Sequence, residues 1–384
     1  GVDSSTVLAY MSRILKEPVK AFCIGHPHEA YDERQYARQA AAICGADYLE
    51  EVVEPDALAL LPELVRHYGE PFGDSSAIPA FYVSRLARRH VKMVLSGDGG
   101  DEAFAGYHAY AAILWEHRSP DGNLRKMRHI LANQARALGI WPRRSTVADS
   151  KYARTAVVEH GERARLWRPE FRPVLEATRA EFEDAFARGP RRELLNRLQY
   201  FDIFNYISYD NLPKVDVASM YHGLEVRVPL LDHVFLETAA RVPPELKLVS
   251  RSGTHPAMPG DRTIGKYLLK RTAERFFPHA FLHRDKRGFE VPIREWFGGP
   301  FQSQLRERVL SSNGPLTQYF EPTALTDLID SSAQSRTDAW KAWLLLVLEE
   351  WFSQSQPGNS GASASRRSNT VAVSAPLPAA ARRA

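Results

Sequence analysis

A short apolar run, Val91 to Leu95 (VKMVL), leads directly into Ser96-Gly97-Asp98-Gly99-Gly100-Asp101-Glu102, and few folds accommodate such a junction. Aliphatic residues in a run of this length, bounded by turn residues, read as a buried strand. The glycines that follow let backbone approach a ligand closely, and Asp98 and Asp101 are spaced to face a common cavity from one tight loop. In an open α/β sheet, the carboxyl end of a parallel strand is where ligands bind. A Gly-Asp string is usually only a turn. Such turns seldom concentrate acid at the ligand edge of a sheet.

The surrounding sequence supplies the rest of that sheet. Val19–Ile24 (VKAFCI) and Tyr48–Val53 read as strands; Glu33–Cys44, Ala57–Tyr68 and Ile78–Arg89 read as helices, the first stopped by Gly45. With Val91–Leu95 the order is βαβαβ, which predicts an α/β fold: a parallel sheet flanked by helices, followed by a largely helical C-terminal part. Residues 119–192 are rich in Arg, Ala and Leu and broken by Pro120, Pro142, Pro169, Pro173 and Pro190, so several short helices are expected there. Ala339–Trp351 (AWKAWLLLVLEEW) reads as a buried terminal helix. Residues 1–355 are expected to form one composite domain. The Gly, Ser, Ala, Pro and Arg of 356–384 have almost nothing to bury and predict a disordered tail.

Charge and cysteine content narrow the class. Lys and Arg total 50 against 46 Asp and Glu, a net +4 too weak and dispersed to argue for nucleic acid or an anionic membrane as partner. No stretch approaches the roughly 18 continuous apolar residues of a membrane-spanning helix. Cys23 and Cys44 alone build neither a disulfide framework nor a four-ligand zinc site, and a reducing, cytoplasmic setting fits best.

A second candidate motif opens the chain. Gly1-Val2-Asp3-Ser4-Ser5, followed by the apolar run Thr6–Ile14, has the form of a loop entering a helix. The free N–H groups of a first helical turn and the serine hydroxyls suit a phosphate. Asp3 would repel phosphate alone, and makes sense if a divalent cation sits between them. On these five residues alone a Ser/Asp helix cap is the simpler reading. Because Gly1 begins what reads as a functional loop, further sequence is expected upstream of it.

Together these blocks carry a resemblance. Gly1–Ser5 resembles the end of the SGGxDS pyrophosphate loop of the ATP pyrophosphatase (PP-loop) superfamily, and Ser96–Tyr107 is similar to the SGDGGDELFAGY segment of glutamine-hydrolysing asparagine synthetases. Glu70–Ser84, Lys214–Asp232 and Arg284–Pro292 are further family-like blocks in the expected order. The resemblance implies an adenine nucleotide alpha hydrolase-like fold and a two-step ligase. Aspartate is adenylated by ATP with Mg²⁺, and ammonia then displaces AMP to give asparagine. It implies Asp3 and Asp101 as magnesium ligands, and Gly1, Val2, Asp3, Ser4 and Ser5 around the pyrophosphate. Ile24, Ser96 and Gly97 would contact the nucleotide, with Asp98 and Lys286 as catalytic groups. Asp98 stands where some relatives carry glutamate, and Asp74, Ser75 and Ser76 are expected to border the aspartate pocket. The family's ammonia comes from glutamine through an N-terminal glutaminase domain missing from this sequence, and a homodimer is compatible with the resemblance.

A β-lactam synthetase-type cyclase or other biosynthetic amidotransferase shares these loops. A non-catalytic relative would have little reason to keep Asp3, Asp98, Asp101 and Lys286 together. A tRNA-modifying pyrophosphatase shares only the first loop. Glu225, Arg227 and Asp232 read as internal scaffold salt bridges, and His26 and His28 as loop residues without a metal partner.

Overall fold

The computed structural model describes residues 1–28, 32–54, 56–117, 146–189, 193–250, 263–284, 291–310 and 314–355. Lys286, the tail 356–384 and residues 119–145 and 190–192 of the proline-broken stretch lie outside them.

The chain begins as helix α1 (Val2–Ile14), with Gly1 as its N-cap. Asp3 and the serines thus lie in the first helical turn, not in a loop ahead of it. The cause is visible in the bonding: Ser5 N–H already reaches Gly1 O at 3.1 Å, and Thr6 Oγ1 donates back to Val2 O at 2.7 Å. Strand β1 (Lys20–Gly25), helix α2 (Arg34–Cys44), strand β2 (Asp47–Val52), and helices α3 (Ala57–Tyr68) and α4 (Ala77–Arg88) follow. Each lies within two residues of its expected limits. Gly45 ends α2 at φ 63°, the left-handed conformation that stops a helix.

Strand β3 (Met93–Leu95) leads into the acidic turn, helix α5 (Gly100–Phe104) and helix α6 (His108–Glu116). The β-structure differs from the expected single sheet. β1 pairs in parallel with β2, while β3 pairs in parallel with strand β4 (Glu225–Arg227), from a distant part of the chain. Among the described residues these remain separate two-stranded units. Residues of β1 and β3 both line a cleft that lies between the pairs. The structure is therefore mixed α/β with short parallel pairs and a mainly helical remainder.

Helices Val147–Thr155, His160–Leu166 and Pro173–Ala187 occupy the described part of 119–192. The terminal helix spans Arg336–Ser355 and sinks Ala339, Ala342, Leu345 and Leu346 into a core shared with Leu61 and Leu64 of α3 and with Phe297 and Leu305. Trp343 joins this core, and its indole N–H donates to Gly73 O at 2.9 Å, fixing the segment that carries Asp74. None of the described helices is long and apolar enough to cross a membrane.

Trp343→Ala removes a buried ring and leaves the Gly73 carbonyl without its donor. It is expected to cost about 3–5 kcal/mol, read as a lower urea midpoint at unchanged slope; an unchanged midpoint would show that this helix does not hold the core.

Candidate active site

Two acid-bearing segments far apart in sequence meet backbone to backbone. A Cβ added to Gly97 would lie 2.4 Å from Ser4 N, so the turn after β3 tolerates no side chain there. Gly99 sits at φ 92°, a conformation that favours glycine, and this aims α5 so that Asp101 and Glu102 occupy its first turn.

Between the segments lies a residue that the sequence reading passed over. Lys266 Nζ is 2.5 Å from Asp3 Oδ2 and 2.9 Å from Asp101 Oδ2, with all three side chains at least four-fifths buried. Its backbone is left-handed at φ 56°, and its N–H donates to Phe104 O at 2.8 Å. Burial alone would lower the ammonium pKa. The charges of Asp3 and Asp101 outweigh burial and hold it above its ordinary value. Asp3 Oδ1 is buried without a hydrogen-bond partner. That orphaned oxygen, with the carboxylate of Asp101, is the hard oxygen donor set that suits Mg²⁺.

Asp98 is positioned from two directions. Ser96 Oγ donates to its Oδ2 at 2.7 Å, and Asn211 Nδ2 donates to its Oδ1 at 3.1 Å. Asn211 ends a π-helical stretch, Ile203–Asn211, that interrupts an otherwise continuous helix from Leu194 to Tyr221. Wide turns of this kind re-aim side chains and recur at functional sites. One turn further, Lys214 Nζ bonds Asp74 Oδ2 at 2.9 Å, while Ser76 N–H and Oγ donate to Asp74 Oδ1 at 2.9 and 2.8 Å. Burial would raise the Asp74 carboxyl, but Lys214 and Ser76 hold it below its usual value. Asp210 is pushed up to about 6, first by burial and then by the charge of Asp74.

Glu102 is almost fully buried and accepts a hydrogen bond from the Tyr107 hydroxyl. Burial pushes its carboxyl up to about 7, opposed by that hydrogen bond and reinforced by the charge of Asp101. Burial, with the charge of Glu102, also raises the Tyr107 hydroxyl.

These groups open into a cleft of about 980 Å³ lined by Gly1, Asp3, Ser4, Ser5, Ile24, Ser96, Gly97, Asp98 and Asp101, and also by Glu102, Tyr107, Asn211 and Lys214. Val2 is not among the lining residues: it packs against the Ala9–Phe277 and Ala103–Phe104 clusters instead. Asp74, Ser75 and Ser76 do not line the cleft either; Asp74 is joined to it by Lys214.

A family model for asparagine synthase matches residues 1–353. The chain belongs to the asparagine synthase family. It is 29% identical over 362 residues to the glutamine-hydrolysing asparagine synthetase 1 of Bacillus subtilis, covering 92% of this chain and 55% of that protein. It is 33% identical over 303 residues to a chain named as an asparagine synthetase in Mycobacterium bovis, covering 77% and 44%. Amidase chry2 of Gibberella zeae is 23% identical over 373 residues, covering 86% and 54%. The chain spans about half the length of the curated relatives it matches.

Within this asparagine synthase-family chain, the residues the sequence reading missed are Lys266, Asn211 and Lys214. Lys266 follows Gly265 at the head of helix Tyr267–Ala273, and a Gly-Lys step before a helix was its only local signal. The expected internal ion pairing around Arg227 is corrected: Arg227 Nε meets Glu225 Oε1 at 2.7 Å on the exposed face of β4, because alternate residues of a strand share one side. Asp232 caps helix His233–Arg241, accepting from the N–H groups of Val234 and Phe235. His26 and His28 stack on each other after β1, as loop residues.

The Glu102 carboxyl titrates higher in the folded chain than in the unfolded one. The native state therefore holds the extra proton between about pH 4.5 and 7, and stability falls as pH rises through that window. Glu102→Gln lacks this dependence, so the stability difference between wild type and variant is expected to move against wild type by up to about 3 kcal/mol from pH 4 to pH 8. Urea unfolding at both pH values measures it, and a pH-independent difference would contradict the assignment.

Proposed function

We propose that this cleft adenylates a carboxylic acid with ATP and passes it to an amine, with aspartate and ammonia as the pair and asparagine, AMP and pyrophosphate as products. The observation that carries the reading is the contact of Lys266 with both Asp3 and Asp101. Two carboxylates from separate segments converge on one cation beside the N-terminus of α1. Such an arrangement binds polyphosphate through a metal and stabilises charge that shifts between oxygens during phosphoryl transfer. The PP-loop relationship, suggested by Gly1–Ser5, agrees with it, as does the asparagine synthetase identity of the relatives. Residues 1–355 would then act as one synthetase domain.

In this reading Asp3 and Asp101 hold Mg²⁺, which supplies charge neutralisation on the phosphate oxygens. The N–H groups of the first turn of α1, with Ser4 and Ser5, hold the pyrophosphate portion. Ile24, Ser96 and Gly97 border the nucleoside. An aspartate carboxylate oxygen bonds to the α-phosphorus as the bond to pyrophosphate breaks. Ammonia then bonds to the acyl carbon, the bond to AMP breaks, and a proton is lost. Asp98, fixed by Ser96 and Asn211, is positioned to accept that proton, and Lys266 offsets negative charge at the phosphorus. Lys286, expected in the same role, remains a proposed second cation. Lys214 and the acids Asp74 and Asp210 would sort the two charged ends of the amino-acid substrate.

A second reading has one observation in its favour. The Tyr107–Glu102 pair borders the cleft and could relay a proton, as a cyclase or another amide-forming enzyme would need, and amidase chry2 is a distant relative.

Incubation with ATP, Mg²⁺, aspartate and ammonia is expected to release pyrophosphate and asparagine in equal amounts. Asp101→Asn and Lys266→Ala should each lower kcat by about 10²–10³-fold. Pyrophosphate release that depends on another acid but not on aspartate would support the second reading, and no acid-dependent release would overturn both.

A further inference from the structure

A second cluster of ligand-type side chains lies just beyond the helix that Lys266 introduces. Glu274 follows helix Tyr267–Ala273, and His279 opens the next short helix, His279–Leu282, with His283 as its C-cap one turn later. That spacing stacks the two imidazoles with centroids 4.0 Å apart and planes 12° from parallel, so both rings project from one face. One ligand atom from each of Glu274, His279 and His283 falls within 4.8 Å of the others.

The strongest sign of an unmet ligand is His283. Its side chain is 8% exposed, and its buried Nε2 has no hydrogen-bond partner. Glu274 Oε1 lies 3.6 Å from that nitrogen, an ion-pair separation too long for a hydrogen bond. In a tetrahedral zinc site neighbouring ligand atoms sit about 3.3 Å apart. The His283–Glu274 pair is already near that separation, and the exposed His279 ring would tilt out of its stack on His283 to bring a nitrogen to the same ion.

We propose that Glu274, His279 and His283 bind a divalent transition-metal ion of the zinc type. Two imidazole nitrogens and one carboxylate oxygen form a borderline donor set that favours Zn²⁺, Co²⁺ or Ni²⁺ over Mg²⁺ or Ca²⁺. Three protein ligands leave a coordination position for water. The bound ion would tie the end of helix Tyr267–Ala273, which begins beside Lys266, to the segment that continues into Arg284. Arg284 in turn reaches Glu33 at 3.4 Å and lies over the Tyr36 ring at 4.0 Å, so the ion would brace one wall of the molecule next to the cleft. Arg271 works against it, because its Nη1 holds Glu274 Oε2 at 2.5 Å.

Co²⁺ titration of the full chain, in saturating Mg²⁺ to occupy all-oxygen sites, tests the proposal through the intense visible band of tetrahedral cobalt. One saturable equivalent displaced by Zn²⁺ is expected. His279→Ala and His283→Ala should each weaken it by more than about 10-fold, since even outer-shell changes cost that much, while Asp101→Asn should leave it unchanged. Arg271→Ala, by freeing Glu274, should tighten it. Because His279 is exposed, its variant reads the site even if His283→Ala unfolds. No saturable band in the wild type, or equal binding by wild type and His279→Ala, overturns the proposal.

Discussion

A single ammonium group holds the candidate site together. Lys266 stands 2.5 Å from Asp3 and 2.9 Å from Asp101, and without a cation between them these buried carboxylates would repel each other. At an effective dielectric near 20, unit charges 4 Å apart interact by about 4 kcal/mol, comparable to much of a domain's net stability. The left-handed backbone of Lys266 is a strained conformation for a residue that carries a Cβ, costing on the order of 1 kcal/mol or more. The contacts with both acids and the bond to Phe104 O offset that strain. A lysine held in such a state, with an unpartnered Asp3 oxygen beside it, is the observation on which the proposed metal-nucleotide reading rests.

Behind this first layer lies a buried polar network that fixes its geometry. Gln199 donates to the Glu102 carbonyl and accepts from Lys247 at 3.0 Å. Burial lowers the Lys247 ammonium to about 8. Tyr110 donates to Asp202 at 2.7 Å, and Lys151 pairs with the same carboxylate at 2.6 Å. Charges this deep are tolerated only when paired and hydrogen-bonded. They back α5 and the helix Leu194–Asp202 against each other, and the π-helical stretch that follows delivers Asn211 to Asp98. Rigid support of this kind keeps acidic groups at fixed separations when a ligand binds.

The local architecture was largely legible because it is written in short-range pattern. Apolar runs marked β1, β2 and β3, and Gly45 marked the end of α2. The strand-to-acid junction marked the cleft. What could not be read depends on long-range meetings. β4 is three residues, Glu-Val-Arg, whose alternating charge hides a strand that exists only because β3 offers it an edge. Lys266 caps one helix and Lys214 lies within another, and beyond the Gly-Lys step no local pattern reveals that acids from other segments will surround them. Asn211 acquires its aim from a π-helical turn that periodicity of 3.6 residues does not encode. The opening motif and the acidic turn do meet in space, although the residues of the motif form the first turn of α1 and Val2 packs into the core.

In the proposed reaction Asp3 and Asp101 act as one unit on a metal-bound nucleotide. A double-mutant cycle with Asp3→Asn and Asp101→Asn, read by calorimetric titration of the chain with ATP at fixed Mg²⁺, measures that directly. The two changes are expected to be coupled by about 1 kcal/mol or more, with the coupling lost when Mg²⁺ is withdrawn. Losses that add to within about 0.5 kcal/mol, or ATP binding indifferent to Mg²⁺, would contradict it.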